Sequence, residues 1–172
     1  MAKTTFSGPV ISKNAFQNLG PDMTVSLTAD TSLTVATHAG KILLCNDADG
    51  KFTLPSINVN ANGATAGDND FNNLNNIGAQ FKFFVETAAT DMDIKTDGTD
   101  KFKGAVMIGV NDGSKKAFVP GATNDVITMN GSTKGGIAGS IITITAIDTA
   151  TYMVSDALLI GSGTIVTPFA DA

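Results

Sequence analysis

The sequence predicts an all-β protein, an antiparallel β-sandwich or barrel of short strands with an extended N-terminal arm. Three observations lead there. Turn formers recur every 8–12 residues or so, the spacing of small β-sandwiches and barrels. The apolar residues between them alternate with the two-residue period of half-buried strands. The composition, with 18 glycines, abundant Thr, Asn and Ala, a single glutamate (Glu86) and no arginine, favours turns and β-branched strand positions over long helices. At 172 residues the chain is most simply one domain, residues 21–172, preceded by an arm over residues 1–20.

The arm contains "TTFSGPVISKNAF" (Thr4 to Phe16), which mixes two aromatics, a Gly-Pro break and scattered polar residues, without the repeating face that a helix or long strand buries. "TVSLTADTSLTV" (Thr24 to Val35) alternates Val25, Leu27, Leu33 and Val35 with polar residues and predicts a strand pair. "GKILLCNDADGKFTLP" (Gly40 to Pro55) predicts a hairpin: Ile42 to Cys45 go out, Asn46 to Gly50 turn, and Lys51 to Leu54 return until Pro55 ends the ladder. Residues 56–78, crowded with Asn and Gly, are too long for an ordinary connection and predict a surface Ω-like excursion or an intersubunit loop. "AQFKFFVETA" predicts a strand burying Phe81, Phe83 and Val85. Asp97-Gly98 and Asp112-Gly113 mark further turns, as does Asn130-Gly131 after "DVITM". In the last third, Ile142, Ile144 and Ala146 share one face, Asp148 to Ala150 turn, and Tyr152 and Val154 return. No convincing helix is visible; "SDALLIG" (Ser155 to Gly161) is the one ambiguous segment.

Hydrophobic residues at 42 % against 16 % charged provide enough apolar material for a core. The net charge of −5, with no arginine forks, argues against nucleic acid as a partner. Cys45 is the sole cysteine and sits in an apolar run, where it reads as a small buried hydrophobe. The N-terminus shows no apolar signal region, and nothing approaches 18 continuous apolar residues. The expectation is therefore an intracellularly made, reduced protein that no membrane holds.

Catalytic signatures are sparse. His38 is the only histidine, and a lone His is more often structural than catalytic. No nucleophile elbow, phosphate-binding Gly-rich loop, Cys pair or zinc-binding His pair occurs. "CNDADGKF" places Asp47 and Asp49 ahead of Gly50 like the middle of an EF-hand loop. Cys45 occupies the first ligand position, however, and Ser56 that of the bidentate Glu, so the match fails at both ends. "DMDIKTDGTD" and "GDNDFNN" read as solvated turns. Asn130-Gly131-Ser132 reads as a turn rather than a glycosylation acceptor. The expectation is no enzyme, no metal and no cofactor.

The arm resembles the N-terminal segment of small virion proteins of marine, cyanophage-like tailed phages. Thr5 to Val10, Ser12, Asn14 and Phe16 match, and Ala15 replaces the usual Gly. The body is similar to the β-rich decoration proteins of phage heads through Gly50, Phe52, Leu54 and Pro55, then Gly78, Phe81, Phe83 and Val85. Asp100, Lys101 and Gly104 follow, and finally Gly139-Ser140-Ile141, where Ser140 replaces the commoner Asp, and Tyr152-Met153-Val154. The resemblance spans nearly the whole chain and implies a capsid decoration, or cement, protein. Such a protein is made in the host cytoplasm and held on the outer capsid surface by the major capsid protein, often as a homotrimer.

The residues implied to make that contact are Phe6, Pro9, Val10, Ile11 and Phe16. Burying such large side chains on a neighbouring subunit gains on the order of 1.5–3 kcal/mol each, and three arms on one trimer reinforce one another through effective concentration. The alternative is a phage surface adhesin or fibre-associated carbohydrate-binding module using the 56–78 loop. The absence of Trp and the single Tyr152 argue against sugar stacking there.

Overall fold

The computed structural model describes residues 23–58 and 75–172. The arm, with Phe6, Pro9, Val10, Ile11 and Phe16, and the middle of the 56–78 excursion lie outside the described residues.

The chain begins by winding. β1 (Thr24–Leu27) enters one sheet and β2 (Thr31–Ser32) the other; β3 (Ile42–Cys45) returns to the first and β4 (Lys51–Thr53) to the second. β5 (Gln80–Val85) and β6 (Met92–Lys95) repeat the step. Because each full turn returns to the same sheet in the same direction, β1, β3 and β5 pair in parallel, as do β2, β4 and β6. The remaining strands are β7 (Lys101–Gly104), β8 (Val106–Val110), β9 (Lys115–Phe118), β10 (Val126–Met129), β11 (Ile141–Asp148), β12 (Thr151–Gly161) and β13 (Phe169–Ala170). The result is an eight-stranded sheet, ordered β1-β3-β5-β11-β12-β8-β9 with β7 also on β12, and a five-stranded sheet, β13-β10-β6-β4-β2.

Two expectations are corrected. The architecture is β-rich with two sheets, but the sheets are mixed rather than antiparallel, and they do not close into a barrel. Neither Thr24–Val35 nor Gly40–Pro55 is a local strand pair: β1, β3 and β4 form where expected, β2 ends at Ser32 with Val35 already in a helix, and each pair is split between the sheets. Asn46 to Gly50 span five residues, enough for an arch between sheets, and the turn closes with the Gly50 N–H toward the carbonyl of Asp47 (3.4 Å) rather than through a positive φ at Gly50. The arches stack instead. Asn46 donates its backbone N–H to the carbonyl of Leu27 (2.9 Å), and its side-chain amide donates to Ser26 (2.8 Å) and Glu86 (2.7 Å). One short helix, α1 (Val35–His38), occurs in the β2–β3 crossover, where no helix was expected. It is capped by the hydroxyl of Thr34, which accepts from the Thr37 N–H at 3.3 Å. "SDALLIG" is strand, the second half of β12.

The core lies between the sheets. Leu43, Phe81, Phe83, Ile142, Ile144, Ala146 and Tyr152 face Phe52, Met92, Ile94, Ile127 and Met129, all buried. The Phe83 and Phe52 rings stack across the gap with centroids 6.4 Å apart. The Tyr152 hydroxyl donates to the carbonyl of Pro55 at 2.5 Å, and burial pushes its pKa up. The inward faces expected for β5, β11 and the start of β12 are those observed.

Candidate docking face

The outward face of the eight-stranded sheet is unusual in one respect. Strands solvated on one side normally present polar residues there, as Ser26, Lys82, Thr145, Ser155 and Lys103 do on this sheet. Apolar side chains interrupt the pattern: Ile42, Met153 and Ile160 are exposed on this face, and a transverse row of others crosses it. Register pairs Leu44 with Phe84, Phe84 with Ile141, Ile141 with Leu158, and Leu158 with Met107, so the five side chains stand side by side on five adjacent strands. Ser26 and Ala117 continue the row to the two edges of the sheet. Leu158 (47 % exposed) and Met107 (45 %) are open to solvent, while Leu44, Phe84 and Ile141 are partly covered.

A β-bulge makes the row possible. Ser155 pairs with Thr143 and Leu158 with Ile141, so β12 carries an extra residue between them. Asp156 takes up the excess with φ +43°, the only positive φ at a non-glycine among the described residues. Before the bulge the even positions Tyr152 and Val154 point inward; after it the odd positions Leu159 and Gly161 do. Without that change of phase, Leu158 and Ile160 would enter the core and Leu159 would leave it. Beside the row, the outward Thr143 is 1 % exposed, and its hydroxyl has no hydrogen-bond partner among the described residues.

The base of the 56–78 excursion is clamped. Asn76, buried, donates its amide to the carbonyl of Ser56 (2.8 Å) and accepts from the Asn58 N–H (2.8 Å), while its own N–H reaches the carbonyl of Asn58 (3.0 Å). Asp100 accepts from the Ile57 N–H (2.9 Å), and Asp97 from the hydroxyls of Ser56 (2.6 Å) and Thr99 (2.7 Å). Partial burial opposes ionisation of Asp97, but these bonds and two backbone N–H groups hold its pKa down to about 2. The β-strands that start at Thr24 and Gln80 run parallel through β3 between them, so Met23 and Ala79 lie at the same end of the sheet.

The other residues singled out by sequence have structural partners. His38 is buried; its Nδ1 accepts from the Thr34 N–H (2.9 Å), and burial lowers its pKa. Cys45 is fully buried, and desolvation raises its thiol to about 12, far from a reactive thiolate. Asn130 to Lys134 form a turn in which Asn130 Oδ1 accepts from the backbone of Ser132 and Lys134, and Gly131 has φ +64°. Asp91 and Asp93 line a surface cleft, but each pairs with Lys51 at 3.0 Å. Among the described residues there is no group of three or more His, Cys, Asp or Glu that could hold a metal, and no helix long and apolar enough to cross a membrane.

No protein-family description, no curated protein and no solved structure matches the chain.

The apolar row escaped the sequence reading, although it leaves a signal there. Leu43-Leu44, Phe83-Phe84, Ile141-Ile142 and Leu158-Leu159 are doublets, and in a strand one member of each must face away from the core.

Proposed function

We propose that this is a structural virion protein, a capsid decoration protein that binds the outer surface of a phage head as a trimer and cements neighbouring subunits of the major capsid protein. The observation that carries the reading is that the inner faces of both sheets are filled by their own side chains. Phe52, Phe81, Phe83, Phe102 and Tyr152 are already fully enclosed there. In this reading Phe6, Pro9, Val10, Ile11 and Phe16 find their cover on a neighbouring capsid subunit. The resemblance of the arm to those of tailed-phage virion proteins supports that choice of partner.

A cement protein needs no chemistry, only many contacts that persist together. Part of the gain from burying the arm goes to ordering it, so each arm holds modestly and three arms per trimer hold durably. Deleting residues 1–18 should leave the circular dichroism spectrum of the body in place and abolish co-sedimentation with purified heads. Undiminished co-sedimentation would reject the arm as the attachment device.

A further inference from the structure

We infer that the outward face of the eight-stranded sheet is the surface by which copies of this chain hold one another. The inference rests on the homo-oligomer proposed above, not on the phage head as its partner.

Composition argues first. Beyond the row from Leu44 to Met107, this face exposes Ile42, Met153 and Ile160. The outer face of the five-stranded sheet carries instead the polar residues of a solvated sheet, Lys51, Thr53, Asp93, Lys95 and Thr128. An apolar patch confined to one outer face marks an interaction site. Size argues second. From β1 to β9 the sheet runs over about 29 Å at the usual strand spacing of roughly 4.8 Å. Along β12 the outward residues Ile160, Leu158, Ser155 and Met153 mark four rows about 6.7 Å apart, which adds about 20 Å. The footprint is up to about 600 Å², and the relief of its side chains raises the accessible area toward the roughly 800 Å² that each partner of a stable complex contributes.

Complementarity argues third. A sheet face is covered by helices or by another sheet, and the one helix among the described residues, α1, is a single short turn in the β2–β3 crossover. A second copy brings a sheet of the same width, and sheets pack face to face about 10 Å apart. The charges fit as well. Lys82 and Lys103 stand on this face, while Glu86, directly after β5, and Asp156, at the bulge, are exposed on the same strands or beside them. A copy therefore meets both signs with both signs, and no excess charge gathers in the contact. A partner of one strong sign finds no such match.

The test is the light-scattering mass of the full-length protein. The wild type should be an oligomer at micromolar concentration, and the doubly substituted variant Leu158→Asp, Met107→Asp, checked for a native circular dichroism spectrum, should fall to the 17.6 kDa of one chain. Lys95→Asp, on the opposite outer face, should keep the wild-type mass. A monomeric wild type, a face variant that keeps the wild-type mass, or equal dissociation by Lys95→Asp would each overturn the inference. A trimer that survives the face substitutions overturns this surface and leaves the trimer standing, whereas a wild-type dimer that they split keeps this surface and overturns the trimer. Should the face variant misfold, the single variant Leu158→Cys decides alone. Cys45 is fully buried with its thiol raised to about 12, so the introduced thiol is the reactive one. In the oligomer it should react with a maleimide more slowly than the thiol of Lys95→Cys, and as fast once dilution or mild urea has brought the mass to that of one chain. Equal rates in the oligomer would overturn the inference by leaving the face to another protein, and protection that persists in the monomer would overturn it by placing the cover within the same chain.

Discussion

Asp156 shows how a single backbone angle sets which residues a sheet displays. Its φ of +43° lies in the left-handed region, which Asp tolerates better than β-branched residues do. Its side chain is exposed, so a substitution there tests the backbone rather than packing. Asp156→Gly should leave the urea midpoint close to wild type, whereas Asp156→Val should lose about 1–3 kcal/mol. A neutral Val variant would mean that the bulge can relocate. Phe83 tests packing instead: it is buried against Phe52, and Phe83→Ala should cost about 3–5 kcal/mol in equilibrium unfolding.

His38 adds a pH dependence at the same scale. Its folded pKa lies below the ordinary value of 6.5, so the unfolded chain takes up the proton first as the pH falls. Its contribution to stability is therefore complete above about pH 6.5 and is lost on acidification through the folded pKa. Protonation also removes the Nδ1 lone pair that accepts from Thr34. The difference in urea midpoint between wild type and His38→Gln should shrink or reverse from pH 7.5 to pH 5 (~2.5 units, bracketing the reference value). A constant difference would show that the ring is not held neutral.

At the scale of elements, turn chemistry and sheet membership separate. The Asp97-Gly98, Asp112-Gly113 and Asn130-Gly131 turns form where expected, with Gly98, Gly113 and Gly131 all at positive φ, whereas Gly50 turns without one. What a turn leads to depends on elements distant in sequence. β3 and β4 part company because Leu43 pairs with Phe83, forty residues on, while Phe52 pairs with Ile94. Long-range pairing of this kind leaves no local mark on the segment itself. The clamp at the base of the 56–78 excursion is similar, since Asn76 serves as both donor and acceptor for a stretch eighteen or more residues away. Asn76→Ala strands the Ser56 carbonyl and the Asn58 N–H, and should cost about 1–3 kcal/mol. The checking measurement is exchange of the Asn58 amide, which should accelerate in the variant.

At the scale of the whole molecule, the described residues form two sheets with a filled interior and apolar side chains on one outer face. The proposed trimer predicts a light-scattering mass near three times the 17.6 kDa of the chain. A monomer at micromolar concentration would remove the cooperative part of the proposed cementing mechanism.

The sequence by itself determined the β character, the positions of most strands and turns, and the inward faces of β5, β11 and the first half of β12. These follow from alternation and from glycine at turns, both of which are local properties of the chain. Only the tertiary structure decided that consecutive strands alternate between sheets, that their pairing is parallel, and that β12 changes phase at Asp156. Those outcomes depend on hydrogen bonds between segments separated by a dozen to some forty residues, and on which member of each apolar doublet the opposite sheet has room to cover.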